Sequence, residues 1–272
     1  MGELIAFLSG KGGTGKTSVC AGVAASLAQA GESVLCIDCD VGLRNLDIAL
    51  AMTDCGDLSF REVYEGSYDL DHAAVHPLYP SLRFLTAPIN CGIEEIDGEA
   101  FGRMLRQARH KFRYIFLDAP AGVDAGFRLA ATYADRVIVV TVTDPASIRD
   151  AAHTGQLLEH MGKNDVRLIV NRVSKELYAA GQFTVDDVID RTGLQLLGIV
   201  PEDCKVVLAA AYGGKYSYGA LLGVILLVGM MEFYRIASAG GNKPQYIGGI
   251  VAGAALFIGG FAYFLGFENT LA

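Results

Sequence analysis

Charge is scarce in this chain of 272 residues. Asp, Glu, Lys and Arg make up 19% of it, against 52% apolar residues and a mean hydropathy of +0.35. The scarcity is uneven. Residues 212–272 contain only Lys215, Glu232, Arg235, Lys243 and Glu268, so the other 19 basic and 28 acidic residues lie in 1–211, which carries a net charge of −9. A surplus of negative charge disfavours non-specific attraction to DNA or to anionic lipid, and no specific nucleic-acid partner is expected. A disulfide framework is missing as well. The six cysteines, Cys20, Cys36, Cys39, Cys55, Cys91 and Cys204, are scattered, which fits a reducing cytoplasm. Cys36 and Cys39 do spell C-x-x-C in "LCIDCD", but they sit in an apolar run that reads as a strand, where side chains three apart point to opposite faces. They are read as core residues rather than a metal or redox pair. No signal-type segment precedes the first polar motif, so the N-terminal domain is expected in the cytoplasm.

What is present is a repeating pattern. "ELIAFLSG", "SVLCIDCD", "LRFLTAP", "YIFLDAP", "RVIVVTVTD", "VRLIVNRV" and "LQLLGIVP" are short apolar runs, most of them separated by stretches of helical spacing such as Ser18–Ala30 and Ala100–His110. Strands apolar on both faces, alternating with helices, predict an α/β fold: a mainly parallel sheet covered by helices on both faces. Ligands in such sheets sit beyond the carboxyl ends of the strands, and the polar residues of this chain stand there.

After the first run comes "SGKGGTGKT", residues 9–17. Its glycines let backbone N–H groups curl around phosphates at the start of a helix, which makes it a P-loop. Gly12, Gly13, Thr14, Gly15, Lys16, Thr17 and Ser18 form the predicted nucleotide cradle, with Lys16 on the β- and γ-phosphates and the Thr17 hydroxyl on Mg²⁺. One lysine suffices for that task, so Lys11 looks surplus. After the second run stand Asp38 and Asp40, and after "YIFL" stands Asp118. Asp38 and Asp118 are assigned to the metal shell, and Asp40 to orienting the attacking water. Each taken singly reads equally well as a strand-end aspartate holding a loop.

These motifs identify a family. "KGGTGKT", "DCDVGLRNLD" (38–47), "YIFLDAPAG" (114–122), "VNR" (170–172) and "VPED" (200–203) closely resemble the deviant Walker A ATPases, and "GLRNLD" points to the MinD division-site branch over its ParA relatives. The resemblance covers 1–211. It implies ATP and Mg²⁺ as ligands, a homodimer closed face to face by ATP, division-regulator proteins as partners, and catalysis by Lys11, Lys16 and Asp40. It further implies adenine contacts from Asn171, Arg172 and the backbone from Pro201 to Asp203. Lys11 would then reach the partner's nucleotide, although a lysine five residues before Lys16 could also bind locally. "TDPASIRDA" (143–151) departs from the family's usual "NPE" with Asp144-Pro145-Ala146. Rival readings are a ParA-like positioning ATPase for plasmid or other cargo, and a membrane-tethered nucleotide sensor in which hydrolysis is incidental.

The last 61 residues depart further. Where this family continues with a final core helix, 212–272 brings the uncharged runs "SYGALLGVILLVGMM" and "YIGGIVAGAALFIGGFAYFLGF". At 1.5 Å per residue the second is long enough for a hydrocarbon core of about 30 Å, and two membrane helices, 217–234 and 246–267, are expected as a C-terminal hairpin. The domain is thereby expected at the inner membrane of a prokaryote. "YGGKYSYGALL" and its sequel resemble the N-terminal membrane segments of phosphatidate cytidylyltransferases, without that family's catalytic signature; a natural fusion or a chimeric gene product would give such a tail.

Overall fold

The structure is a computed structural model, and it describes residues 1–55, 58–89, 91–174 and 184–202. The chain divides into two units, Met1–Cys204 and Lys205–Ala272, and the described residues belong to the first. The expected membrane helices, 217–234 and 246–267, lie outside the described residues, as does Asp203. Among the described residues no helix is long and apolar enough to cross a membrane.

All seven apolar runs form strands. They are β1 (Glu3–Leu8), β2 (Val34–Asp38), β4 (Leu82–Leu85), β5 (Tyr114–Asp118), β6 (Arg136–Thr141), β7 (Val166–Val173) and β8 (Gln195–Pro201). An eighth strand, β3 (Ala74–Val75), has no counterpart among those runs, because its two residues are too few to display a period. The sheet order is β3-β4-β2-β5-β1-β6-β7-β8, parallel throughout except for the β3–β4 pair. β1 lies between β5 and β6, in register from Glu3 opposite Tyr114 and from Ile5 opposite Arg136.

Helices α1 (Lys16–Gln29), α2 (Leu46–Ala49), α3 (Phe60–Tyr64), α4 (Gly98–Lys111), α5 (Ala125–Tyr133), α6 (Pro145–His160) and α7 (Val185–Thr192) divide between the two faces. Strand alternation sets the division. Leu4, Ala6 and Leu8 of β1 join Leu35, Ile37 and Leu117 in one cluster, against Phe101 and Leu105 of α4, Phe127 of α5, Ile148 of α6 and Val188 of α7. Ile5 and Phe7 point the other way and meet Phe116, with Val19, Cys20 and Ala24 of α1 and Leu46 near them. Phe7 and Phe116 stack edge to face, 5.0 Å between centroids.

Cys36 belongs to the α1 face and Cys39 to the other, both buried as free thiols. The core reading of the C-x-x-C is therefore the observed one. The helix ends have local causes: α3 begins at a reciprocal cap in which Ser59 and Glu62 bond each other, and α6 begins at Asp144, followed by Pro145 at its first position.

Candidate functional site

The carboxyl ends of β1, β2 and β5 converge because these strands are neighbours in the sheet. The turn out of β1 passes close under α6. A Cβ on Gly10 would lie 2.6 Å from the Asp150 carbonyl, so only glycine lets the chain through. The loop then needs left-handed backbone at Gly13 (φ 82°) and Gly15 (φ 83°) before α1 opens at Lys16. A Cβ on Gly15 would also stand 2.3 Å from the Asn171 amide nitrogen, which donates to the Thr14 carbonyl at 2.8 Å.

Lys16 is buried, and its ammonium bonds Asp118 Oδ1 at 2.5 Å and Thr17 Oγ1 at 3.3 Å. Burial pushes the Asp118 carboxyl up, while Lys16 and a hydrogen bond from Thr17 pull the other way. Asp38 is fully buried and pushed up to about 6 by burial and then by the charge of Asp118. Asp40 is half-buried and also raised, chiefly by burial. Asp118 and Asp40 thus share one ammonium, and Asp38 does not.

The three aspartates are not equivalent. Asp38 Oδ1 accepts from the Asp40 backbone N–H at 2.9 Å, and its Oδ2 accepts from Asn45 and Leu46, each at 3.1 Å. It ties the loop between β2 and α2 into place, the loop-holding role that a strand-end aspartate can serve. Asp118 lies beside Lys16 and Thr17, and Asp40 faces the same ammonium from the neighbouring strand end.

Two observations fit a triphosphate and a divalent cation to this site. Thr14 Oγ1 is buried with no hydrogen-bond partner among the described residues, a cost of roughly 1–3 kcal/mol that a ligand in the cradle would relieve. Asp38, Asp40 and Asp118 lie at adjoining strand ends with each carboxyl raised first by burial, and a bound cation would favour their charged forms. Among the described residues no three metal-ligating side chains converge. Mg²⁺ suits such a site, since it takes one or two protein ligands and fills the rest with water and phosphate oxygens. Thr17 and Asp118 would hold it, with Asp38 behind them.

Asn171 and Arg172 occupy a bulge where β7 and β8 lose register between Val170 and Val173. Arg172 is exposed with φ 53°, whereas Asn171 is buried against the P-loop. Pro201 closes β8 opposite Val173. Lys11 stands exposed at the mouth, its ammonium 3.7 Å from Asp144 Oδ1.

Two contacts of the site are invisible in the sequence: the strut from Asn171 to Thr14, and the bond from Arg44 Nε to Thr86 Oγ1 at 2.6 Å that joins the loops after β2 and β4. No local pattern announces either, because the partners are 157 and 42 residues apart.

Residues 5–215 match the CobQ/CobB/MinD/ParA nucleotide binding domain family. The septum site-determining protein MinD of Synechocystis is 36% identical over 215 residues, 78% of this chain and 81% of that protein. MinD of Bacillus subtilis is 33% identical over 217 residues, with 78% and 81% covered. Among solved structures, the MinD cell division protein of Aquifex aeolicus aligns at a TM-score of 0.69 with 32% identity, over 78% of this chain and 86% of that one. The same organism's MinC:MinD complex aligns at 0.71 with 34% identity, again over 78% and 86%. With a P-loop at the carboxyl end of β1 and this likeness over most of its length, the chain belongs to the MinD/ParA family of P-loop ATPases.

Proposed function

We propose that this protein is a Mg²⁺-dependent ATPase whose ATP-driven dimerisation is coupled to placement of the division site at the membrane. The observation that carries the reading is the convergence of Lys16, Thr17, Asp118 and Asp40 at one end of the sheet, with Lys11 exposed at the mouth of the same loop. Lys16 exchanges its bond to Asp118 for the β- and γ-phosphates of ATP, which frees the Asp118 carboxylate toward Thr17. Bound Mg²⁺ supplies charge neutralisation across the phosphates. Asp40 orients the attacking water. Lys11 of one subunit neutralises charge developing on its partner's phosphates, the in-trans logic of an arginine finger. Arg172, Asn171 and the backbone from Pro201 to Asp203 border the adenine. That MinD of Aquifex aeolicus forms a complex with MinC supports a division-regulator protein as partner.

Membrane attachment rests on sequence composition, since 246–267 is an uncharged run of spanning length.

Mixed subunits test the mechanism. Lys11→Ala and Asp40→Ala are each expected to abolish stimulated hydrolysis. In a mixed dimer one site retains Asp40 and receives Lys11 from the partner, so part of the activity returns. If mixed dimers are demonstrated and no activity returns, Lys11 serves its own nucleotide and the in-trans reading fails.

A further inference from the structure

The surplus lysine has a partner on its own subunit. Asp144 ends the loop after β6 and caps α6, where its Oδ1 accepts from the Ala146 and Ser147 backbone N–H groups at 3.1 Å each. The same oxygen lies 3.7 Å from the Lys11 ammonium. Hydrogen bonds from Ser147 and then the charge of Lys11 hold the Asp144 carboxyl below the usual range, so it is an anion at neutral pH.

The geometry limits the strength of this pair. Charge-assisted N⁺–H···O⁻ bonds measure about 2.7–2.9 Å. At 3.7 Å, with Lys11 and Asp144 respectively 47% and 45% exposed, the contact is a screened Coulombic attraction rather than a tight bond. It is enough to bias a long, flexible side chain and weak enough to be surrendered to a more highly charged phosphate.

We infer that Asp144 is the resident counter-ion of Lys11, which holds the lysine on its own subunit before dimerisation, so that ATP-dependent association proceeds by exchange of Lys11 from Asp144 to phosphate. The inference rests on the in-trans reading of Lys11 proposed above. Its consequence is a built-in brake: each new interface contact made by Lys11 costs one intrasubunit contact, and both are weakened by salt.

Asp144→Asn tests this cleanly, because asparagine caps helices as well as aspartate and keeps the acceptor oxygen while removing the charge. The full-length protein is used with a non-hydrolysable ATP analogue, and the dimer dissociation constant is measured by sedimentation. Each exposed pair of this kind corresponds to a change of up to about five-fold and two are exchanged per dimer, so Asp144→Asn should tighten the dimer by about two- to thirty-fold at low salt. The gain should fade as ionic strength rises, and should vanish in a Lys11→Ala background.

Unchanged or weakened association of Asp144→Asn overturns the inference, as does an equal gain in the Lys11→Ala background, which would place the carboxylate's effect on the phosphates directly. A second readout needs no dimer. In the nucleotide-free protein the Lys11 side-chain ammonium resonance should move on Asp144→Asn, and a stationary signal refutes the pair. If the resonance moves but Lys11→Ala dimerises like the parent protein, the pair stands and the in-trans reading is what fails.

Discussion

Gly15 carries two constraints at once, a left-handed backbone at φ 83° and a wall formed by the Asn171 amide 2.3 Å from where a Cβ would be. Gly15→Ala is therefore expected to abolish ATP binding, measured by fluorescent-nucleotide titration, whereas Asn171→Ala should leave the Thr14 carbonyl without its donor and destabilise the fold by about 1–3 kcal/mol. Denaturant midpoints check the latter; an unchanged midpoint would show that water replaces the amide at no cost. His76 makes a second prediction at this scale. Its Nδ1 accepts from the Leu78 and Tyr79 backbone N–H groups at 3.1 and 3.2 Å, and its Nε2 donates to the Leu50 carbonyl at 3.0 Å, a set only the neutral ring satisfies. Burial lowers its pKa below the ordinary value of 6.5. A base whose folded pKa is depressed binds fewer protons in the folded state, so its contribution is present above pH 6.5 and is lost as pH falls toward the folded value. Unfolding free energies measured between pH 5 and 8 should slope more steeply in the parent protein than in His76→Asn.

At the scale of elements, helix α3 depends on its first turn. Ser59 Oγ donates to Glu62 Oε2 at 2.8 Å, the Ser59 backbone N–H donates to the same oxygen at 2.9 Å, and the hydroxyl accepts from the Glu62 N–H. Ser59→Ala should cost about 1 kcal/mol, read as a lowered urea midpoint with unchanged slope. The strands make a different prediction. Alternation sends Cys36 and Cys39 to opposite clusters, and burial pushes the Cys20 and Cys39 thiols up. None of these three thiols should react with a water-soluble disulfide reagent until the protein unfolds, while the partly exposed Cys55 and Cys91 should react in the folded state.

For the whole molecule, the tail and the ligand dominate. Deletion of 212–272 is expected to move the protein from washed membranes to the soluble fraction, because residues 1–211 have a net charge of −9 and the uncharged runs fall in the deleted part. Complete retention of the truncated protein on membranes would assign attachment to the N-terminal domain. Ligand linkage supplies a control for folding. With Mg²⁺ and ATP at about a hundred times the dissociation constant, the native state gains about 2.7 kcal/mol, and Lys16→Ala should remove that gain from the thermal shift.

The apolar runs that become strands, the P-loop and the strand-end aspartates were legible in the sequence, because each depends on residues close together in the chain: an apolar run, a glycine spacing, a carboxylate just past a hydrophobic run. The family resemblance followed from the same local motifs and agrees with the comparisons. What the sequence could not rank was the three aspartates. Asp38 reads like the others, yet its carboxylate accepts three backbone N–H groups from the loop that follows it, whereas Asp118, 80 residues further on, meets Lys16. The same holds for Asn171 against Thr14 and Asp144 against Lys11. Hydrogen bonds and ion pairs act over about 3–4 Å, and which distant residues come that close is settled by the packing of β1 between β5 and β6, with α6 laid across the loop at Gly10.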